Sequence, residues 1–191
     1  MSVTAQLACV RSSRKPAIYL IHYAPYFTPV NRIKSMLSKK TKYALNALVY
    51  LAKEYEQGPV LISQIAESEN ISQKFLEAIL LDLKNAGILS SKKGRGGGYY
   101  LLKSPEKVTI ADVMRLFDGP IALLPCVTYK FYEQCEECTD EKTCGIRDVF
   151  FEVRNETVRK LKKATLASIV AREQKLKDKR TAKSILTREG P

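Results

Sequence analysis

Apolar residues fall into a regular order from Met36 onward. In "SKKTKYALNALVYLAKEY" the residues Ala44, Ala47, Leu48, Leu51 and Tyr55 recur at helical spacing, with lysines at the front. Gly58 and Pro59 close that segment. "ISQIAESEN" predicts a short helix with Ser63 as its N-cap, burying Ile65 and Ala66. "ISQKFLEAILLDLKNAG" starts again at Ser72, sets Leu76, Ile79, Leu80 and Leu83 on one face, and stops at Gly87. A longer helix followed by two short ones across a tight polar turn is a helix-turn-helix pattern.

The period then changes. "ILSSKKGRGGGYYLLK" reads as two short extended runs around a glycine-rich tip, and Lys92, Lys93 and Arg95 load that tip with positive charge. A basic hairpin after a helix-turn-helix predicts a wing, whereas a phosphate loop needs a different spacing ending in Gly-Lys-Ser/Thr. "TIADVMRLFDG" predicts a further helix, with Thr109 and Asp112 forming its capping box. From Cys144 a long helix carries Ile146, Val149, Phe150, Val153, Thr157 and Leu161 along one side, and a short helix is expected after Thr165. A long amphipathic helix with little core of its own either caps the domain or pairs with a second copy.

The fold expected from these elements is mainly α with a small β-hairpin wing: a winged helix-turn-helix plus a long C-terminal helix, expected to be a dimerisation helix. The expected boundaries are an extension at 1–35, the winged domain at 36–120, a cysteine-rich sensor loop at 121–144, the dimerisation helix and short final helix at 145–171, and a charged flexible tail at 172–191. The extension has no acid, since Glu54 is the first in the chain, and no clear period. It reads as a disordered segment or a start assigned too early, with Met36 as the natural beginning. A transit peptide fits less well, because the apolar patch is interrupted and arginines are few. Cys9 and His22 lie in this stretch and are incidental to the reading.

Charge and cysteines add function. The formal net charge of +12 favours an anionic partner, nucleic acid ahead of a membrane surface. No apolar run is long enough to span a membrane. Four of the five cysteines, Cys126, Cys135, Cys138 and Cys144, cluster in one acid-rich segment. With no recognisable signal peptide, the setting expected is a reducing cytosol, where clustered thiols more often hold metal than form disulfides.

Taken in order, "KYALNALVYLA", "ISQIAESENISQKFLEAILLDLKNAGIL", "SSKKGRGGGYYLLKSPEKVTIADVMRLFDG", the cysteines and a terminal "TLASIV" resemble the Rrf2 family of winged-helix regulators, which has IscR-like and NsrR-like branches. The resemblance runs from Met36 to about Val170. It implies a cytoplasmic bacterial transcription factor, homodimeric on a pseudo-palindromic duplex operator, in which loop cysteines of many relatives hold an iron–sulfur cluster. Base contacts are implied around Gln73, Lys74, Phe75, Glu77 and Ala78. IscR-like relatives have glutamine where Ala78 stands, so a different operator is expected. Lys39, Lys40, Lys42, Lys92, Lys93 and Arg95 are assigned to phosphates or groove width.

The chain departs from that pattern at the cluster. Cys135 is extra, and Arg147 stands where IscR-like proteins place a histidine ligand. An all-cysteine set of Cys126, Cys135, Cys138 and Cys144 is the simplest repair; three cysteines plus a carboxylate or a partner-subunit group is the other. Four soft ligands suit an iron–sulfur cluster or zinc, although the zinc spacing match is poor. A metal-free thiol/disulfide switch uses the same loop. A thiol oxidoreductase fits worst: two glutamates separate Cys135 from Cys138, no strand precedes them, and the domain offers no Cys/His dyad.

Overall fold

Helix α1 (Lys39–Lys53) begins where the Ser38 hydroxyl accepts the Thr41 N–H at 3.1 Å. That bond satisfies one of the amides a helix start leaves open. The computed structural model describes residues 37–136 and 138–186. The readings made for 1–35 and for the end of the tail lie outside the described residues. Ala44, Ala47, Leu48 and Leu51 are buried on one face of α1, as their spacing predicts.

Helix α2 (Ile62–Ser68) departs from expectation at its start. Leu61, not Ser63, is its N-cap, and the Leu61 N–H donates to Gln64 Oε1 at 3.1 Å. The cause lies one residue earlier. Val60 exchanges both backbone hydrogen bonds with Tyr99, at 2.9 and 2.8 Å, so the chain is held extended until it leaves that bridge. Helix α3 (Gln73–Asn85) is capped by Ser72, whose hydroxyl accepts the Phe75 N–H at 3.3 Å. Leu76, Ile79, Leu80 and Leu83 are fully buried against α1 and α2. Each such side chain contributes about 1.5–3 kcal/mol relative to exposure.

The hairpin pairs β1 (Leu89–Lys92) with β2 (Gly98–Leu101) in the register Leu89 to Leu101 and Lys92 to Gly98. Gly98 has φ +152, and a Cβ there would lie 2.2 Å from the Val60 carbonyl oxygen. Only glycine lets the hairpin dock so closely on the strand-like residue before α2. Helix α4 (Ile110–Phe117) starts at the expected capping box, with the Asp112 N–H donating to Thr109 Oγ1 at 3.2 Å and the Thr109 N–H donating to Asp112 at 3.3 Å. Its C-cap Asp118 accepts the Ser38 N–H at 3.3 Å, tying the end of α4 to the start of α1.

A connector with one 3₁₀ turn (Pro125–Val127) leads to α5 (Gly145–Lys163) and α6 (Leu166–Leu186). The α5–α6 corner returns to the winged core. The Ile110 N–H donates to Ala164 O at 2.9 Å and the Leu166 N–H to Val108 O at 3.0 Å, around a Thr109–Thr165 bridge. Leu166 is fully buried, and Ile169 and Val170 pack against the core. Lys53 pairs with Glu173 at 2.6 Å.

The last helix is longer than expected. The sequence pattern predicts a short helix and a flexible tail from 172, yet α6 runs unbroken to Leu186. No Gly or Pro interrupts Leu166–Leu186, its Lys, Arg, Ala and Leu residues are strong helix formers, and Gln174 donates to Asp178 one turn on, at 2.9 Å. The dense charge marks a solvated helix surface. Among the described residues no helix is long and apolar enough to cross a membrane.

Leu166 is thereby a core residue supplied from beyond the winged domain. Leu166→Ala should cost about 2–5 kcal/mol, lowering the urea midpoint with the slope unchanged. A loss within ~0.5 kcal/mol, the range of a surface substitution, would show that α6 does not complete this core.

Candidate functional site

The exposed surface of α3 carries Gln73, Lys74, Glu77 and Ala78, with Leu81 further along the helix. Phe75 lies at the margin: it is 40% exposed, and its ring meets Tyr43 of α1 edge-on at 5.7 Å. Lys92, Lys93 and Arg95 are all exposed on the hairpin, as are Lys39 and Lys42 on α1. Lys40 is placed differently. Its ammonium pairs with Asp82 of α3 at 2.7 Å and lies 5.2 Å from the Phe117 ring centroid, so it bridges α1, α3 and α4.

The four clustered cysteines line a single pocket of ≈ 650 Å³ between the connector and the start of α5. Cys126 is buried in the 3₁₀ turn, Cys138 and Cys144 are half-buried, and Cys135 is exposed, with no disulfide joining them. Cys144 is the N-cap of α5, and its sulfur accepts the Arg147 N–H at 3.5 Å. The Cys138 thiol is held above its ordinary value of 9.0 by burial, then by a hydrogen bond and charge repulsion from Cys144, with Cys135 adding repulsion. Cys138 and Cys144 are therefore direct neighbours.

Arg147 stands where the resemblance places a histidine ligand, and here it has a structural task. Its Nε–H is shared between Glu141 at 2.6 Å and the Cys126 carbonyl at 3.2 Å. Glu141 also accepts from the Tyr132 hydroxyl at 2.5 Å. This latch joins three separate parts of the cysteine loop. The Arg147 guanidinium also lies 5.8 Å from the Phe151 ring, Phe151 meets Tyr129 edge-on at 6.2 Å, and Arg154 stacks 4.2 Å from Tyr129. The result is a ladder of two stacked rings closed by a cation at each end, along the inner side of α5. Sequence reasoning missed both latch and ladder; the spacing of Arg147, Phe151, Arg154 and Val158 is helical, but three of the four residues are charged or aromatic rather than aliphatic.

Another side of α5 is only partly covered. Of the predicted apolar side, Ile146, Val149 and Val153 are 68%, 59% and 43% exposed, while Phe150, Thr157 and Leu161 are half-buried.

Comparison with known proteins places this architecture. The family model for Rrf2, described as an iron-dependent transcriptional regulator, matches residues 37–172. The chain belongs to the Rrf2 family. An rrf2-like HTH-type transcriptional regulator of Rhodobacter capsulatus is 47% identical over 121 residues, covering 62% of this chain and 81% of that protein. The structure of CymR, the global cysteine regulator of B. subtilis, superposes with a TM-score of 0.60 at 30% identity, covering 71% of this chain and 95% of that one. T. potens IscR superposes with a TM-score of 0.57 at 25% identity, covering 72% of this chain and 87% of that one. Like these relatives, this Rrf2-family chain is a transcriptional regulator with a DNA-binding fold and not an enzyme.

The thiols suit a soft metal by type and placement, since all four face one pocket. Among the described residues, no three Cys, His, Asp or Glu side chains are already gathered at ligand distances. Holding a metal in this pocket thus requires the thiols to draw closer together than they stand. The latch ties the cysteine loop to the turn carrying Cys126. Arg147→Ala should leave the winged core folded but speed alkylation of Cys126 by iodoacetamide about ten-fold, equivalent to ~1.4 kcal/mol of local opening. An unchanged rate would show that the latch does not hold the turn.

Proposed function

We propose that this Rrf2-family regulator reads a pseudo-palindromic duplex as a homodimer. In this reading the thiol pocket holds an iron–sulfur cluster whose loading reports iron, redox or nitric-oxide status. The observation that carries the sensing reading is the convergence of all four clustered cysteines on one pocket at the joint between the winged core and α5. The description of the matching family as iron-dependent supports it.

On the DNA side, the exposed start of α3 is presented to the major groove, with Gln73, Lys74, Glu77 and Ala78 toward base edges and Phe75 steadying the helix against Tyr43. Lys92, Lys93 and Arg95 at the hairpin tip, with Lys39 and Lys42, supply phosphate contacts. Lys40 contributes through its pair with Asp82, which fixes α3 against α1. The uncovered stripe of Ile146, Val149 and Val153 is the surface assigned to a second copy, which sets two recognition helices at a fixed separation.

On the sensing side, Cys126, Cys135, Cys138 and Cys144 are the ligands assigned. A bound cluster supplies chemistry sensitive to oxygen, nitric oxide and reductants. The protein's part is mechanical. Cys126 sits at one end of the loop and Cys144 caps α5 at the other, so holding both sulfurs together fixes the angle at which α5 leaves the connector. Releasing them frees that joint, and a difference in operator affinity between the two states makes the joint a switch. Zinc is the alternative occupant. A metal-free thiol switch is the second reading, favoured by the hydrogen-bonded neighbours Cys138 and Cys144.

Anaerobically purified protein should show visible absorbance that Ala at Cys126, Cys138 or Cys144 abolishes. Cys135→Ala should do nearly the same, and adding Arg147→His, which restores a nitrogen ligand, should return part of the colour. A colourless wild type that forms a reversible Cys138–Cys144 disulfide would transfer the sensing role to the thiols. Equal operator affinity with and without metal would remove it altogether.

DNA recognition has its own test. Lys93→Ala together with Arg95→Ala should weaken binding to every duplex and flatten the salt dependence by about 0.9 for each phosphate no longer neutralised. Changing Gln73 or Lys74 should instead reorder preference among operators by ~1–3 kcal/mol. An unchanged salt slope in the double variant means the hairpin does not touch DNA.

A further inference from the structure

A second pocket, of ≈ 520 Å³, lies at the far end of the cation–ring ladder, walled by the connector on either side of the 3₁₀ turn and by α5. Its charged lining has one sign. Arg115, Lys130, Arg154 and Lys162 line it, with no carboxylate among the described lining residues. Two polar atoms, Thr128 Oγ1 and Arg154 Nε, are buried with no hydrogen-bond partner among the described residues. Thr128 lines this pocket and is only 9% exposed.

The rest of the Arg154 head group is engaged. It donates from Nη1 to Asn155 Oδ1 at 2.8 Å and lies over the Tyr129 ring at 4.2 Å. These contacts fix the guanidinium while its Nε–H remains without an acceptor. The large majority of buried donors in proteins are paired, and a cationic donor pairs most strongly with an anionic oxygen. Ile121, Phe131 and Val158 provide apolar walls beside it. A concave, mainly apolar pocket with a few convergent polar groups is the usual form of a small-molecule site.

We infer that this pocket binds a small organic anion: a carboxylate or phosphate group on a compact apolar or aromatic body. Its oxygens accept from Arg154 Nε and Thr128 Oγ1. Arg115, Lys130 and Lys162 attract it to the mouth, and the body lies against Phe131 and Ile121. Thr128 directly follows the turn that carries Cys126, so an occupant engages the same connector that bears the thiols. The inference needs no metal, because neither donating atom belongs to the thiol pocket.

The test is isothermal titration of the full chain with benzoate and with phenyl phosphate. Benzamide, the neutral isostere, and sodium chloride at matched ionic strength are the controls. At least one of the two anions should bind saturably, with no heat from benzamide beyond dilution. Thr128→Val should weaken that binding about ten-fold, the equivalent of ~1.4 kcal/mol. Lys162→Gln, at an exposed position, should weaken it measurably and decides the matter if the threonine variant proves unstable. Failure of both anions to saturate, equal binding of benzamide, or unchanged affinity in the variants overturns the proposal. Displacement of benzoate by a random-sequence duplex also overturns it, since the cations would then belong to the DNA surface.

Discussion

Two backbone hydrogen bonds, Ile110 to Ala164 and Leu166 to Val108, return the chain to its own starting point after a long excursion. Everything between α4 and α6 is suspended from that junction: the connector, the cysteine loop and α5. The junction itself is anchored by Leu166, which is fully buried in the winged core. With both ends fixed, the excursion cannot lengthen, and on the proposed reading a local change inside it is passed on as a rotation or tilt of α5. A loop rich in acids and poor in buried residues is thereby coupled to rigid parts on both sides.

The parts of the fold with strong periodicity were legible from sequence. Leu76, Ile79, Leu80 and Leu83 announce the buried face of α3, and Ser72 and Gly87 mark its ends, because each signal is local and chemically distinctive. The errors arose where distant residues decide. Ser63 is a good cap by type, yet the bridge from Val60 to Tyr99 starts α2 earlier. The charged run after Ala171 looks like a tail until Leu166, Ile169 and Val170 hold its first turns and propensity carries it onward. Among the candidate functional residues, the cysteine pocket was legible as a cluster. Lys40 was not, since only the packing of α1 on α3 reveals Asp82 beside it. Arg147, Tyr129 and Arg154 gave no usable signal, because a cation–ring ladder has no spacing of its own in sequence.

The same ladder gives the α5 side of the molecule a coherent chemistry. At one end Arg147 clasps Glu141 and the Cys126 carbonyl; at the other Arg154 lies over Tyr129 with an N–H that has no acceptor among the described residues. Aromatic rings between the two cations make the ends sensitive to each other's position through direct contact. Thr128 directly follows the short turn that carries Cys126, so the thiol pocket and the cationic pocket are built on one continuous connector. Two chemically unlike inputs, one on sulfur and one on positive charge, would act on the same joint.

The wing stands apart from this machinery, and its attachment has a consequence of another kind. Because a Cβ at Gly98 would collide with the Val60 carbonyl, and Val60 immediately precedes the α2 cap, the hairpin and the helix pair share a continuous backbone seam. On the proposed reading, the interval along the duplex between what α3 reads and what the tip touches is then a ruler cast in main chain. Side chains at the tip and on α3 are free to diversify without altering that ruler. Related operators for this protein should therefore differ in their letters while the phase between their contacted segments stays constant.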